Sequence, residues 1–360
     1  MRRAVKVTLD FATRHKRQVI SNLLEAYRGA VNFYIQSLWK TRGKLNADTL
    51  ARLTTTRLSE RYKSQALKQA LEIVVATKKS AKALRKAAGV PVFRGAAVLD
   101  AKFVSVESGQ GSFDLIVRLS TLNKGARITI PTKRTAVINK WFALPLAKWL
   151  QGCALSERGI ILWVDLPTLP IRTTGSNIGI DVGVNKLIAT SDGQNARFYG
   201  TTFKTIRDKV KRRKSGSNGK RRAIRERDNF INRTINTLPW CSWKTIAVED
   251  LKNVKKGKRP DRSKDFRKAM APWTYRRVLT RLGQKAEENR VLICAVPPAY
   301  TSRICPACST ESKKNRVGEI FCCISCGYTA DADFVGATNV LARTTSFLTS
   351  IESVRFKKAM

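Results

Sequence analysis

Eleven residues, Ser176 to Lys186, read S-N-I-G-I-D-V-G-V-N-K, and they limit what this chain can fold into more than any other stretch. Ile178 and Ile180 alternate in the manner of a buried β-strand, and that strand runs directly into Asp181. A carboxylate at the end of a buried strand is costly unless a counter-charge meets it there. Oxygen-only donors suit a hard divalent cation, Mg2+ or Mn2+. Such an ion needs further carboxylates from elsewhere in the chain.

Downstream, the hydrophobic period specifies an order of elements. Leu187 to Thr190 and Ala196 to Tyr199 read as strands around an S-D-G turn at 191–193, which makes a meander with the first strand. Thr202 to Leu238 is helical, broken by S-G-S-N-G at 215–219. Thr245 to Val248 is a fourth strand ending at Glu249 and Asp250. A helix opened by Ala271-Pro272-Trp273 and lined by Leu279, Leu282 and Ala286 leads to a fifth strand, Val291 to Val296. The order β-β-β-α-β-α-β followed by a helix is that of the RNase H-like fold, in which the ends of the first and fourth strands lie side by side. Asp181 then meets Glu249, and D-A-D-F-V-G-A-T-N-V at 331–340 places Asp333 in the first turn of the last helix. Paired metal ions held by such acids activate water and stabilise the leaving oxygen of a phosphodiester. Each acid alone has an ordinary alternative role: complementing a helix dipole, capping a helix, the alternative for Asp331, or starting a turn. Their coincidence at three element ends selects them over Asp192 and Asp250.

The first half has a different texture. Val5, Val7 and Leu9 form a short strand, and Ile20, Leu23, Leu24, Tyr27, Val31, Tyr34, Ile35 and Leu38 form one face of a helix. Residues 44–90 hold more helix, with Leu67, Ala70, Leu71, Val74 and Val75 on one side. After Pro91, residues 103–107 and 113–119 read as a hairpin, and 127–131 and 160–166 as further strands. Trp141, Phe142, Leu144, Leu146 and Trp149 read as buried helix or strand. The expectation is a small β-barrel or sandwich built from the N-terminal strand and residues 91–168, carrying a helical insertion. Pro167, Pro170 and T-T-G-S at 173–176 form a linker.

Charge names the partner class. With 69 Lys and Arg against 26 Asp and Glu in 360 residues, the net charge is +43, which points to a polyanion and foremost to nucleic acid. Lys78, Lys79 and Lys82, then Lys211, Arg212, Arg213 and Arg221 around the helix break, Lys255 and Lys256 in a basic loop at 252–268, and Arg303 are the candidate phosphate contacts. No run of eighteen apolar residues spans a bilayer, and the N-terminus lacks the apolar core of a signal peptide. His15 is the only histidine, which excludes His-dependent triads, His-rich zinc sites and paired-His phosphodiesterases. Five of eight cysteines fall between 305 and 326, a clustering that fits metal binding in a reducing, cytoplasmic setting rather than disulfides. Cys305-x2-Cys308 and Cys323-x2-Cys326, fourteen residues apart, make a tetrahedral structural zinc site; the spacing favours Cys323 over its neighbour Cys322. Cys153, Cys241 and Cys294 read as core.

G-I-D-V-G-V-N at 179–185, A-V-E-D-L at 247–251, Y-T-S-R-I-C-P-A-C at 300–308, C-I-S-C-G at 323–327 and the 331–340 stretch together resemble the TnpB (OrfB) family of transposon-encoded RNA-guided nucleases and the related compact type V CRISPR effectors. The resemblance implies a multidomain α+β chain. Residues 175–299 and 330–360 would form a RuvC-like nuclease domain with Asp181, Glu249 and Asp333 as catalytic acids, and 300–329 an inserted zinc ribbon that binds target nucleic acid. Residues 1–10 and 91–170 would form a β-barrel wedge domain, and 11–90 a helical recognition lobe that helps read a short duplex motif. The implied partners are a guide RNA and a target DNA, with no membrane; oligomeric state, guide identity and the choice between transposon and CRISPR context stay open. A guided binder that does not cut is the alternative. The chain departs from the family in Val335-Gly336-Ala337, where Asn-Ala-Ala is common, and in Asn232, near a frequent histidine.

Overall fold

The structure, a computed structural model, describes residues 2–40, 57–84, 87–109, 111–123, 125–192, 195–251 and 274–357. The chain divides into two compact units, Met1–Thr168 and Leu169–Met360.

In the first unit, the alternation at Val5 and Val7 forms β1 (Arg2–Val7), which pairs antiparallel with β7 (Gly159–Asp165), so that Arg2 faces Asp165. The helical period from Arg14 forms α1 (Arg14–Lys40), whose face from Ile20 to Ile35 is buried as the spacing predicts. It packs with α2 (Glu60–Leu84). The remaining strands are β2 (Ala97–Leu99), β3 (Val104–Ser108), β4 (Leu115–Ser120), β5 (Arg127–Thr132) and β6 (Lys148–Ser156). They form two antiparallel sheets, β1-β7-β6-β2 and β3-β4-β5, which share one apolar core with both helices. Two phenols buried in that core keep their hydroxyls paired: Tyr27 donates to Gln69 Oε1 at 2.9 Å and Tyr62 to the Ser120 carbonyl at 2.8 Å.

The stretch from Trp141 to Trp149 is not buried as expected. α3 (Ala136–Phe142), in which only Ile138 is buried, ends at the start of this stretch, and Leu146 is 86% exposed at a φ of 64°. A two-turn helix offers the core about one position, and the Phe142 and Trp149 rings cover each other instead, with centroids 4.7 Å apart. β6 was hidden for a related reason. Gly152, at a φ of 100°, sits at a register shift between Leu150 and Cys153, and such a bulge breaks the two-residue alternation.

The second unit follows the anticipated order. β8 (Ser176–Asp181), β9 (Ile188–Asp192) and β10 (Asn195–Tyr199) form a meander; α4 (Phe203–Arg212) and α5 (Asn218–Asn236) follow, the latter capped by Ser217. β11 (Trp243–Glu249), α6 (Tyr275–Glu288), β12 (Leu292–Val296) and α7 (Ala332–Lys357) complete it. The sheet order is β10-β9-β8-β11-β12, with β8, β11 and β12 parallel. Between β12 and α7 lie three short strands, β13 (Arg316–Val317), β14 (Ile320–Cys322) and β15 (Thr329–Asp331). The basic loop at 252–268, with Lys255 and Lys256, and the Ala271-Pro272-Trp273 helix start lie outside the described residues. No helix among those described is long and apolar enough to cross a membrane.

Glycine sets the closest approach in this unit. A Cβ on Gly179 would stand 1.9 Å from the Ala337 carbonyl oxygen, so α7 rests directly on the backbone of β8. Gly283 in α6 has nothing within 4 Å of that position. Gly179→Ala is therefore expected to destabilise by about 1–3 kcal/mol or more, while Gly283→Ala stabilises by up to about 1 kcal/mol. Denaturant unfolding of the two variants checks the contrast; equal stabilities would refute the close packing of α7.

Candidate active site

β8 and β11 run parallel with Ile180 opposite Val248, so the next residues, Asp181 and Glu249, leave the sheet side by side. α7 brings the third acid. A Cβ on Gly336 would lie 3.2 Å from Asp181 Oδ2, and one on Gly183 would lie 3.8 Å from Asp333 Oδ2. The three acids named from the sequence therefore meet at one end of the sheet.

Their electrostatics are those of an undercompensated cluster. Asp181 is held well above the usual carboxylate range, first by burial and then by the negative charges of Glu249 and Asp333. Burial also raises Glu249, against a hydrogen bond from Thr301, and raises Asp333, against the Arg316 guanidinium. The mutual repulsion falls on Asp181. A group of buried carboxylates short of positive charge is a donor set that fits hard divalent cations.

Neighbouring elements hold each acid. The Thr301 hydroxyl donates to Glu249 Oε1, and Asn339 of α7 fixes that loop by donating to the carbonyls of Thr301 at 2.7 Å and Ile304 at 2.8 Å. The Tyr275 hydroxyl donates to the Glu249 carbonyl and accepts from the Leu251 amide at 2.9 Å. Arg316 of β13 reaches Asp333 Oδ1 at 3.1 Å. Asp331 Oδ1 accepts from the Asp333 amide at 2.9 Å, the capping role foreseen for it. Thr301, Arg316, Tyr275 and Asn339 were not singled out from the sequence. Thr301 lies inside the 300–308 stretch and Asn339 inside the 331–340 stretch, but nothing in residue type or spacing marks the other two.

The four cysteines form a tighter group. Cys305, Cys308, Cys323 and Cys326 place their sulfurs within 4.8 Å of one another, with 3.6 Å between Cys305 and Cys326 and 3.5 Å between Cys308 and Cys323. Tetrahedral zinc with Zn–S bonds of about 2.3 Å has edges of about 3.8 Å, so the set fits that ion. Hydrogen bonding around Thr310 draws the Cys308 thiol down to about 6, while, against a backbone hydrogen bond at Tyr328, contacts with the other three sulfurs push Cys326 up to about 12. Cys322 points away, with its sulfur 3.6 Å from the Thr329 hydroxyl. Among the described residues no other set of three such ligands is that close. Asp181, Glu249 and Asp333 do not form so tight a group.

Lys78, Lys79 and Lys82 on α2 are exposed, as are Lys211 and Arg212 on α4, Arg213 beyond it and Arg221 on α5. Lys78 lies 5.1 Å from the Trp39 ring centre. Arg303 is partly buried, and its carbonyl accepts from Asn315 at 2.9 Å. Of the other cysteines, Cys153 and Cys294 are buried and Cys241 is exposed, against expectation. It sits in the 3-10 turn ahead of β11, where the Trp240 and Trp243 side chains turn inward instead.

A mixed α+β chain with a RuvC-type sheet and a zinc-ribbon-like cysteine cluster has the fold class of the compact Cas12 nucleases. Residues 275–340 match the family model described as Cas12f1-like, TNB domain. The CRISPR-associated endodeoxyribonuclease Cas12f1 of Sulfoacidibacillus thermotolerans is 36% identical over 97 residues, covering 27% of this chain and 21% of that protein. InsQ of Escherichia coli (strain K12), named provisionally as an RNA-guided DNA endonuclease, is 29% identical over 201 residues, covering 48% of this chain and 50% of its own length. The chain thus spans at most half of these two relatives. A cryo-EM structure of a Cas12f1-sgRNA-target DNA complex is similar with a TM-score of 0.51 at 16% identity, over 90% of this chain and 81% of that one; at that identity the likeness is one of fold. The motif resemblance to TnpB-like compact effectors thus agrees with the family model, the curated relatives and the solved fold.

Two outcomes follow. Because the folded-state pKa of Asp181 is raised, the folded chain binds that proton more tightly than the unfolded one, and this group's contribution to stability falls as pH rises. In divalent-free buffer, Asp181→Asn is expected to melt a few degrees above the parent at about pH 7.5, with the gap shrinking towards about pH 5. Melting below the parent at the higher pH would argue that Asp181 carries no unpaired charge. For the cysteines, elemental analysis is expected to find about one zinc per chain, lost in Cys308→Ser and Cys323→Ser but kept in Cys322→Ser. Zinc loss in the last variant would reassign the ligand set.

Proposed function

We propose that the chain is an RNA-guided DNA endonuclease of the TnpB-like kind, cutting phosphodiester bonds at a RuvC-like two-metal site. The convergence of Asp181, Glu249 and Asp333 at one end of the sheet carries this reading. Similarity to Cas12f1 and InsQ supports guide dependence. In this reading residues 1–10 and 91–170 act as a wedge domain, 11–90 as a recognition lobe, and 300–329 as the ribbon that engages target nucleic acid. Compact type V CRISPR effectors share this layout, and the neighbouring genes distinguish the two.

Asp181, Glu249 and Asp333 would hold the catalytic cations, Mg2+ in the first instance, and the four cysteines zinc. Bound there, divalent ions supply an activated water and neutralise charge on the leaving oxygen. The protein supplies the rest. Asp181 is fixed by its strand. Glu249 is aimed by Thr301 while Tyr275 holds its backbone carbonyl, and Asp333 is placed by the helix cap and Arg316. Each carboxylate is thereby kept from turning away from its neighbours. The exposed cations Lys78, Lys79, Lys82, Lys211, Arg212, Arg213 and Arg221 would contact phosphates, with guide and target strand paired in a heteroduplex.

The test mixes purified chain, its co-expressed RNA and Mg2+ with a plasmid library carrying the guide-matched target beside random flanks. Double-strand breaks beside one short flanking motif are expected, absent in Asp181→Ala and without matched RNA. Tight retention of the target without breaks by the parent would favour a guided binder. Cutting that ignores the RNA would sink guide dependence.

A further inference from the structure

We propose that Lys186 is a positioning residue for the carboxylate site, acting on Asp333 through Asp331. This inference rests on the reading that the three acids hold divalent ions. Lys186 lies in the turn between β8 and β9. Its ammonium is 2.5 Å from Asp331 Oδ2, 3.7 Å from Glu319 Oε2 and 4.1 Å from the centre of the Phe198 ring. Its side chain is 19% exposed. The adjacent Asn185 donates to Glu319 Oε1 at 2.9 Å, and the Glu319 carbonyl accepts from the Ala332 amide at 2.9 Å. The turn that follows Asp181 is thereby clamped to the residues that begin α7.

Two effects on Asp333 follow. Asp331 lies two residues from a metal-binding carboxylate, and an unpaired charge there would repel Asp333 or compete with it for the cation. Lys186 takes one oxygen of Asp331 and the α7 amides take the other, which leaves Asp331 a cap and not a fourth ligand. The clamp also ties the first turn of α7 to the strand that carries Asp181, so the spacing between two of the acids depends on a contact that neither makes. Lys186 is a neighbour of the ligands of the kind whose loss costs metal affinity about 10–100-fold.

Mn2+ affinity of the full chain with its bound RNA, measured by calorimetry, tests the clamp separately from cleavage. Lys186→Met is expected to weaken Mn2+ binding about tenfold or more, while Lys186→Arg restores most of it and affinity for target DNA stays at the parent's level. Asp331→Ser keeps a capping oxygen without the charge, so in that background Lys186→Met should cost little. Should Lys186→Met fail to fold, the double variant removes the charge of Asp331 and leaves Glu319 held by Asn185, so it is expected to fold and to bind Mn2+ as Asp331→Ser alone does. Parent-like Mn2+ binding by Lys186→Met, a double variant that binds Mn2+ clearly more weakly than Asp331→Ser alone, or a loss confined to DNA affinity would each overturn the clamp. A parent that cuts nothing yet binds Mn2+ counts against the nuclease reading alone. Equal Mn2+ binding by the parent and Asp181→Asn overturns both.

Discussion

Like charges confined at the end of a sheet are the constraint to which the second unit answers. At about 4 Å and an effective dielectric near 20, two carboxylates repel by about 4 kcal/mol, and a flexible chain would relieve that by turning one of them to water. Here none of the three can turn freely. Asp181 and Glu249 leave adjacent parallel strands locked in register, and Asp333 is in the first turn of a helix that touches the sheet backbone at Gly179. Packing holds the three together, and burial raises each of them above the usual carboxylate range. A site built this way is preorganised for cations, since the cost of gathering the charges is met in folding.

The cysteine ribbon belongs to this arrangement and does not merely hang from it. Thr301 precedes the first cysteine and orients Glu249, and Arg316 lies between the two cysteine pairs and reaches Asp333. Asn339 returns from α7 to hold the carbonyls on either side of that entry. Loss of order around the sulfurs would release two of the three acids from their partners, so the two candidate metal sites are mechanically joined through side chains of ordinary length.

Where periodicity and burial agree, the fold could be read directly. The face of α1 from Ile20 to Ile35 and the strand order of the second unit required only counting. The acids were legible because each ends an element, and element ends leave signals: an apolar run before Asp181 and Glu249, a capping aspartate before Asp333. The cysteine spacing was legible because tetrahedral coordination imposes it. What stayed hidden depends on distant pairing. Arg316 is one of 69 basic residues, and nothing local separates an arginine that meets Asp333 from one that faces water. Leu146 looked like core because hydrophobic residues crowd around it, but a two-turn helix has too little surface to bury them all. Gly336, a departure from the family pattern, acquires meaning only once Asp181 is seen 3.2 Å from where its Cβ would be.

The charge balance bears on how such a site fills. Among the described residues, many acids pair with basic neighbours inside the second unit: Asp228 with Arg227 and Arg277, Glu226 with Lys209, Asp331 with Lys186. The exposed cations of α2, α4 and α5 remain, within a net charge of +43. A positive field of that size opposes the approach of a divalent cation at low ionic strength. A bound polyanion removes that opposition and carries its own atmosphere of counterions. Cation binding by the three acids and nucleic-acid binding by the basic surface are then linked, and linkage runs equally in both directions. On the proposed reading the carboxylates fill most readily once the nucleic acid is seated, which disfavours a fully loaded metal site in the free chain.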